Sequence, residues 1–571
     1  MDSVRQVPYI QMITVGFSCS HDSGVVVLED STIVFASNEE RYSRTKFQSG
    51  FPIGAIGAAL ERLDGRPIDN IVMDGRFQSP HGDLGRYNIL ENRSGLSKLL
   101  ESKPFGRLFL GTQLGVELAR IGMWVATRQH RNRWRACSSD HIGKAKLHYV
   151  DHHIAHGASS ALLFRRGSGH VLTLDAIGEG LCSRKLLFDG KQLTRVSRVP
   201  AFHSMGLLYA AVNRILGFKP GQEGKVTGLA AHGDAEKTLA VFEGLISWNQ
   251  RSKRMNNEKL SFGYSSIKVL ERELAGFSKA DIAAGVQAHL EESVLSQVKQ
   301  QLADYSTIPR RLYVAGGVFA NVSLNRRLAE ELEIELHVCP NMGDGGLGLG
   351  AALTAHDQPV DFSSLYLGDE AGSVSEHLLE TAPVTSTIHN FESMSDLAAS
   401  DISSGKVVAV ARGRMEYGPR ALGNRSILAR ADDRSINQWL NTRLNRTEFM
   451  PFAPIVRDID ASDYFMLRQR NEQYENMTTT CLSTDLARKT CEAVVHLDGT
   501  ARPQVVSERR NPWIFRLLTE FKKITGCGVL INTSFNIHEE PIVRTANDAL
   551  TSFLTAQLDV LYTDNQRILR Y

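Results

Sequence analysis

The strongest constraint on the fold is a strand–turn–strand pattern that occurs twice in the chain. Between residues 13 and 36, three segments rich in β-branched and aromatic side chains are separated by polar turns, as in successive β-strands. A similar pattern starts at His170, and in each copy an aspartate, Asp22 or Asp175, lies in the turn after the first strand. Units this short also resemble one another by chance. If the two copies are a true repeat, they predict a duplicated α/β architecture that holds a ligand between two related halves.

Length and composition indicate a cytoplasmic protein of several domains. A chain of 571 residues is too long for one hydrophobic core. The net charge of +2 gives no overall bias towards nucleic acid or membranes, and no stretch reaches the ~18 apolar residues of a membrane-spanning helix. Seven cysteines without a CxxC pair favour reduced thiols. The local exception is an arginine-rich segment at residues 128–135, which is either a solvated loop or a patch for an anionic or sugar substrate.

The segment DHHIAH at residues 151–156 places two histidines four residues apart beside an acid. If a helix begins here, His152 and His156 share one face, because residues i and i+4 are neighbours on a helix. Two imidazoles on one face can bind one divalent metal, although a structural histidine pair is the commoner result of this spacing alone. The loop aspartates Asp175 and Asp344 favour the metal.

Two glycine-rich segments have the composition of nucleotide-binding loops. Residues 221–230 place several glycines around Lys225 without the P-loop spacing, so they either approach a phosphate or form an ordinary turn. Gly316 and Gly317 lie between a predicted strand and a predicted helix, a position where nucleotides commonly bind. The Gly-flanked Asp344 can point its carboxylate into a site without crowding.

Regular patterning weakens between residues 361 and 390, and we place a linker there, between domains at 12–360 and 391–571. The second domain is predicted to be another α/β unit with arginine, hydroxyl and amide side chains among glycines. Such groups match phosphate oxygens and indicate a site for a small dianion or a triphosphate, although surface ion pairs would explain some of the arginines. The candidates are Arg420, Arg425, Arg446, Thr500, Arg502, Asn532 and Ser534.

Together these segments resemble the NodU/CmcH/TobZ-type O-carbamoyltransferases, and the resemblance extends from about residue 13 to 565. It implies an α/β protein with an N-terminal Kae/TsaD-like domain of the actin-like (ASKHA) ATPase class and a C-terminal YrdC-like domain. The matching motifs are HD at 21–22, EER at 39–41, DHHIAH at 151–156, EGKVTGLA at 223–230, GGVFAN at 316–321, GDGG at 343–346, GPRALGNRSI at 418–427, PFAP at 451–454, DGTAR at 498–502 and NTSFNIHEEP at 532–541.

The resemblance also implies a reaction. In such enzymes carbamoyl phosphate and ATP form a carbamoyl-adenylate in the YrdC-like domain. The carbamoyl group then passes to a hydroxyl of a small-molecule or sugar acceptor in the Kae/TsaD-like domain. The implied cofactors are ATP with Mg²⁺ and a divalent metal, which is iron(II) in the family.

Roles for individual residues follow from their positions in the matching motifs. The implied metal ligands are His152, His156 and Asp344, and the implied catalytic groups are His21, Asp22 and Asp175. Nucleotide contacts would be Lys225, Gly316, Gly317 and Asn321. Contacts to carbamoyl phosphate and ATP would come from the arginine, hydroxyl and amide candidates of the second domain.

One departure from the family pattern lies just before residue 454. Many relatives carry a segment like KxRExFRPFAP, but here Leu444 stands in place of the lysine and Met450 in place of the second arginine. Arg443, one residue earlier, is a candidate replacement for the lysine. Without it, anion binding in the second domain would be weaker or differently arranged.

Three other functions would each explain part of the sequence. A tRNA threonylcarbamoylation enzyme uses related domains, but a tRNA partner would leave a broad basic face, which the net charge does not favour. Hydrogenase-maturation carbamoyltransferases carry CxxC pairs, which are absent from this sequence. A non-catalytic ATP-regulated actin-like protein would not explain the histidine pair or the arginine-rich second domain.

We therefore expect carbamoyl phosphate and a hydroxyl-bearing acceptor as partners, no nucleic acid and no membrane span, with a homodimer as a possible assembly. The acceptor stays open between a nodulation-factor sugar, an antibiotic and a polysaccharide unit. The overall resemblance slightly favours the nodulation type.

Overall fold

The computed structural model describes residues 12–75, 107, 111–112, 114–118, 139–140, 142, 145, 147–262, 266–356, 358–445, 449–468 and 470–571. The arginine-rich segment at 128–135 and the candidate Arg446 lie outside the described residues. Within the described residues, no helix is both long and apolar enough to cross a bilayer.

The N-terminal part contains two five-stranded sheets with the same topology. In each sheet, three antiparallel strands are followed by two strands that add in parallel on the other side of the first. The duplicated architecture predicted from the sequence is confirmed. The strands of the first sheet, in spatial order, are Thr32–Asn38, Gly24–Glu29, Ile13–Ser18, Asn70–Asp74 and Leu147–Val150. Those of the second sheet are Glu335–Val338, Arg311–Ala315, Gly169–Gly178, Leu181–Phe188 and Leu193–Pro200.

One detail of the predicted repeat is wrong. Asp175 lies within the strand Gly169–Gly178 rather than in the turn after it. The strand pairing shifts register between Leu174 and Gly178, so an irregular segment continues beyond the regular ladder. Such irregularities redirect side chains, and this one directs Asp175 towards the site described below.

Two helices made largely of small residues pack against each other between the sheets. The helix Leu347–Thr354 contacts the first sheet, and the helix His152–Phe164 contacts the second. Glycine permits this close approach, since a Cβ atom at Gly350 would lie 1.8 Å from the carbonyl oxygen of Ala155.

The remaining helices of the N-terminal part surround the sheets, and a short hairpin, Ile246–Asn249 with Arg254–Asn257, lies beside them. Those after residue 200 bury a large apolar cluster against the second sheet, whereas Ile53–Leu63 packs against the first sheet. Their bounds are Glu40–Ser43, Ile53–Leu63, Met205–Ile215, Glu223–Ala230, Glu236–Leu245, Ile267–Glu273, Lys279–Asp304 and Val322–Glu331.

The C-terminal part is built on an eight-stranded mixed sheet. Alternate residues of its central strands enter different apolar clusters, with Val408 and Val410 in one and Ala409 and Ala411 in the other. A strand with this alternation is covered on both faces. The strands, in spatial order, are Val384–Ile388, Gln566–Arg570, Val560–Tyr562, Val408–Ala411, Arg425–Arg430, Val529–Ser534, Ala453–Arg457 and Gln504–Val506.

Two smaller sheets and a set of helices complete this part. The helices are Glu376–Thr381, Phe391–Ser403, Ser435–Arg443, Ala461–Tyr464, Asn471–Glu475, Asp485–Thr490, Pro512–Thr525 and Ala546–Thr555. The smaller sheets join Tyr366–Glu370 with Arg414–Glu416, and Phe465–Met466 with Cys481–Ser483 and Thr500–Ala501.

The segment 361–390, predicted to be a linker, is instead folded. It contributes two strands and a helix, and its strand Val384–Ile388 forms an edge of the eight-stranded sheet. After Val384, the side chains of this strand are exposed. An edge strand with threonine and serine at its exposed positions lacks the apolar alternation that identifies a strand in a sequence.

The glycine contact between the two central helices should matter for stability. Gly350→Ala would force the new Cβ atom against backbone, and we expect a loss of about 2 kcal/mol or more. Gly57→Ala is a matched control in the helix Ile53–Leu63, because its Cβ atom meets nothing within 4 Å. The control should gain about 0.5–1 kcal/mol. Equal melting temperatures for the two variants would contradict this packing.

Candidate metal centre and anion-binding site

The helix considered at the DHHIAH segment is present, and it spans His152–Phe164. The carboxylate of Asp151 accepts a hydrogen bond from the backbone N–H of Ile154 at 3.1 Å, which is the standard N-cap interaction. Arg184 donates to the other oxygen of Asp151 at 2.8 Å. The cap starts the helix at His152, so His152 and His156 lie one turn apart with ring centroids separated by 4.7 Å.

Four side chains converge as a metal-type donor set. The Nε2 atom of His156 lies 3.1 Å from Asp175 and 3.4 Å from Asp344, and that of His152 lies 3.5 Å and 3.7 Å from the same carboxylates. All four donor atoms are within 4.8 Å of one another. Ligands about 2.1 Å from a common ion would be about 3.0–3.4 Å apart at tetrahedral or octahedral angles. Two imidazoles and two carboxylates at these separations fit a divalent metal.

This geometry changes the role predicted for Asp175. The sequence placed Asp175 among the catalytic groups, but its Oδ2 atom contacts both histidines and belongs to the donor set. Although burial would raise it, the pKa of Asp175 is held well below its ordinary value by hydrogen bonds from His152 and His156. The carboxylate is therefore ionised, as a ligand must be.

Asp74, which sequence reasoning missed, lies behind the donor set. Its carboxylate is fully buried at the end of the strand Asn70–Asp74 and lies 3.8 Å from Nδ1 of His152. A carboxylate facing the second nitrogen of a ligand histidine fixes its tautomer and orientation. The other face of the ring is confined by Gly178, where a Cβ atom would lie 2.1 Å from Cδ2 of His152. The only signal in the sequence was an acid ending a buried strand.

His21 and Asp22 adjoin the loop that carries Asp344. Ser20, also missed from the sequence, donates a hydrogen bond to Oδ2 of Asp344 at 3.0 Å. Burial lowers the pKa of His21, although Asp344 and Asp175 oppose the shift. Burial, with the charge of Glu40, raises the pKa of Asp22 well above its usual range. Burial thus favours the neutral imidazole of His21, which is the form that can accept a proton.

Two of the predicted nucleotide-contact residues lie next to the metal-type site. Gly316 has φ of 109°, and a Cβ atom there would lie 2.1 Å from the carbonyl oxygen of Leu174. A Cβ atom on Gly317 would lie 3.3 Å from Oδ1 of Asp175. This turn can therefore present backbone to a ligand beside the metal-type site.

Of the other two predicted nucleotide contacts, one is buried in a helix and the other is bonded to neighbouring protein groups. Lys225 is buried in the helix Glu223–Ala230. Asn321 caps the helix Val322–Glu331 and exchanges two hydrogen bonds with Gln287. The side-chain amide of Asn321 is therefore already hydrogen-bonded within the protein, and its role here is structural.

In the C-terminal part, Arg420 and Arg502 form a pair of like charges. Burial, followed by the charge of Arg502, lowers the pKa of Arg420 well below its usual value. The Nε atom of Arg420 is buried and has no hydrogen-bond partner among the described residues. Because the charge of Arg502 acts on Arg420, an anion bound at these two residues would offset their mutual repulsion.

Arg425, in contrast, does not fit the predicted role. It is fully buried, and its guanidinium donates to the backbone carbonyl oxygens of Arg544, Arg412, Gly413, Asn424 and Asp369. These bonds use each of its three nitrogens to hold loops together. The prediction that Arg425 contacts a ligand is therefore contradicted. A position among glycines does not distinguish a ligand-binding arginine from one that binds backbone carbonyl groups.

The remaining candidates of this part line or brace the same region. Thr500 bonds to Asp498 and faces His496. Asn532 donates to Ala421 and to Gln504, which steadies the loop that carries Arg420. Ser534 ends the strand Val529–Ser534 and is partly exposed.

The structure also explains the departure from the family motif. Leu444 is fully buried in the apolar core. Arg443 bonds to Gln557 and stacks over Trp439, and its replacement of the missing lysine stays a prediction. Met450 packs against the N-terminal part, where a Cβ atom on Gly228 would lie 2.9 Å from its Cγ atom.

A cleft of about 250 Å³ runs between the two parts of the protein beside Met450. One wall comes from the helices that contain Gly228 and Gln287 and from Val322 and Ser323, and the other from Phe449–Pro451, Thr480 and residues 496–500. The metal-type loop and the arginine loop also touch directly, since the hydroxyl of Tyr417 donates to the carbonyl oxygen of Gly345 at 2.8 Å. Arg41 donates to the carbonyl oxygen of Gly418 at 3.0 Å.

Comparison with known proteins gives the chain a family. Residues 13–353 match the family described as Carbamoyltransferase N-terminus, and residues 399–570 match Carbamoyltransferase C-terminus. The chain therefore belongs to the carbamoyltransferase family and is a transferase enzyme.

Individual relatives are similar over most of the chain. Nodulation protein NolNO of Sinorhizobium fredii is 29% identical over 95% of this chain and 78% of its own length. The 3'-hydroxymethylcephem-O-carbamoyltransferase of Streptomyces clavuligerus is 25% identical over 94% of this chain and 95% of its own. Among solved structures, full-length HypF in its phosphate- and nucleotide-bound form is 12% identical, with a TM-score of 0.29 over 61% of this chain and 56% of that one.

The donor set can be tested by metal binding alone. Titration with a divalent metal should show one tight site per chain, and Asp175→Asn should weaken it by at least about 100-fold, because a ligand substitution costs at least as much as the loss of its supporting group. His148→Ala, which removes an exposed histidine just before the helix, is the control. Unchanged affinity in the Asp175 variant would contradict the donor set.

Proposed function

We propose that this carbamoyltransferase uses ATP and carbamoyl phosphate to form a carbamoyl-adenylate and then carbamoylates a hydroxyl of a small-molecule or sugar acceptor. The observation that carries the proposal is the presence of two distinct constellations in contact. A metal-type donor set in the N-terminal part adjoins, through Tyr417 and Gly345, the loop of the C-terminal part that carries Arg420, whose charge is opposed by that of Arg502. Each constellation suits one half of the reaction.

Formation of the adenylate belongs to the C-terminal part. Carbamate is a poor electrophile, and it gains a good leaving group when it becomes an adenylate. Water first cleaves carbamoyl phosphate to carbamate and inorganic phosphate. A carbamate oxygen then attacks the α-phosphorus of ATP, and pyrophosphate leaves. Arg420 and Arg502 hold the phosphate group and offset its charge, in the way that paired guanidinium groups bind dianions. Mg²⁺ accompanies the ATP.

Transfer to the acceptor belongs to the N-terminal part. His152, His156, Asp175 and Asp344 would hold the divalent metal, for which the family resemblance suggests iron(II). When bound, such an ion polarises a carbonyl oxygen as a Lewis acid. His21, whose pKa is lowered by burial, accepts the proton of the acceptor hydroxyl as that oxygen attacks the carbamoyl carbon and AMP leaves. Ser20 and Asp74 position the ligands.

The glycine turn at Gly316 and Gly317 provides the nucleotide contact in this account, beside Asp175. We assign the two parts of the chain to a Kae/TsaD-like and a YrdC-like domain on the same basis. The folded segment at 361–390 is joined to the second of these through its edge strand.

The acceptor is proposed to be a small molecule or sugar that bears an accessible hydroxyl. The Streptomyces relative is named for transfer to the oxygen of a hydroxymethyl group, and the Sinorhizobium relative is named as a nodulation protein. These names support a hydroxyl acceptor and leave both an antibiotic and a nodulation-factor sugar as candidates.

Because the two steps are assigned to different parts of the chain, a variant in each part should lose activity at a different step. His156→Ala should lose carbamoyl transfer to an acceptor hydroxyl by at least about 100-fold, yet keep pyrophosphate release that depends on carbamoyl phosphate. Arg502→Ala should lose pyrophosphate release and, with it, transfer. Both variants are checked for a wild-type melting temperature. Loss of both activities in folded His156→Ala, or normal pyrophosphate release by Arg502→Ala, would contradict the assignment.

A further inference from the structure

His496 lies in the wall of the cleft between the two parts, and nothing in the sequence singled it out. Its side chain is largely buried but borders the cleft together with Asp498 and Thr500. The Nδ1 atom of His496 lies 3.0 Å from Oγ1 of Thr500. The hydroxyl of Thr500 in turn lies 2.7 Å from Oδ1 of Asp498.

The chain of hydrogen bonds determines which nitrogen of His496 carries the proton. An ionised carboxylate accepts hydrogen bonds and cannot donate them, so the single hydroxyl proton of Thr500 points to Asp498. The backbone N–H of Thr500 also donates to this carboxylate oxygen, at 3.0 Å. The hydroxyl oxygen of Thr500 must then accept from His496, which places the proton on Nδ1 and leaves Nε2 as the acceptor.

The ring also stays neutral. Burial lowers the pKa of His496 to about 4, and Arg502 contributes to the decrease while Asp498 opposes it. At neutral pH a second proton is therefore absent from Nε2. A base this weak removes a proton from a substrate poorly, but it accepts a hydrogen bond and can orient a donor.

We propose that Nε2 of His496 accepts a hydrogen bond from the amide nitrogen of carbamoyl phosphate and so selects it over acyl phosphates that lack this nitrogen. This inference rests on the proposed function, since it assigns the orientation of the substrate whose phosphate group lies between Arg420 and Arg502. His496 acts in it as a specificity-determining residue.

The chemistry of the ligand supports this choice. Arg502 is two residues beyond Thr500, the hydrogen-bond partner of His496, so an acyl phosphate held by Arg502 lies in the same region as this imidazole. The amide is the only hydrogen-bond donor in ionised carbamoyl phosphate, since its phosphate and carbonyl oxygens are acceptors. Acetyl phosphate has the same shape but carries a methyl group in place of the amide. Burying a methyl group against an unpaired acceptor is unfavourable.

The test compares the binding of carbamoyl phosphate and acetyl phosphate by calorimetry in the full-length protein. Wild type should prefer carbamoyl phosphate by roughly tenfold or more. His496→Ala should reduce this preference to about twofold or less, chiefly by weakening carbamoyl phosphate. His496→Gln, whose amide oxygen can occupy the position of Nε2, should recover part of it. His377→Ala, on an exposed helix of the same part, is the control.

A second variant tests the effect of the tautomer of His496 while the imidazole ring is retained. Thr500→Val retains the shape of the side chain but removes the hydroxyl that fixes the proton on Nδ1, and it should also reduce the preference. A preference unchanged in both His496→Ala and Thr500→Val would overturn the role of His496. An equal loss of affinity for both ligands would also overturn it, since that result indicates damage to the arginine pair. Failure of wild type to bind either ligand would instead refute the proposed function itself.

Discussion

The bond from Asp175 to two buried histidines is the interaction on which the rest of the structure depends. It joins the helix His152–Phe164 to the strand Gly169–Gly178 at the point where the two five-stranded sheets face each other. Buried imidazoles and carboxylates are costly unless they are paired or bind a metal. Three features hold these groups in position. They are the glycines that allow the central helices to approach, the irregular end of the strand, and the supporting carboxylate of Asp74.

The same centre connects the two parts of the molecule. Asp344 shares its loop with Gly345, whose carbonyl oxygen accepts the hydroxyl of Tyr417 from the arginine-rich loop. Arg41 reaches across to Gly418 in that loop. A change in the position of one loop must therefore alter the contacts of the other. This physical connection suits an enzyme that makes an activated carbamoyl group in one part and uses it in the other.

Much of this arrangement could be predicted from the sequence, because it depends on local rules. The spacing of His152 and His156 and the β-branched and aromatic content of the first strands are readable without neighbours. The roles of Asp175, Arg425 and Arg443 could not be read in this way. Each depends on which atoms from distant segments meet the side chain, as do the contributions of Ser20, Asp74 and His496. The edge strand at 384–388 was missed because its exposed face carries no apolar signal.

The most direct test of the central claim is isotope exchange between labelled pyrophosphate and ATP in the absence of any acceptor. If the enzyme forms a carbamoyl-adenylate, label should enter ATP when carbamoyl phosphate is present and should not enter when it is omitted. The exchange reports the reversible adenylation step alone, without knowledge of the acceptor. Exchange that is absent in folded, metal-loaded protein, or that proceeds equally without carbamoyl phosphate, would contradict the account.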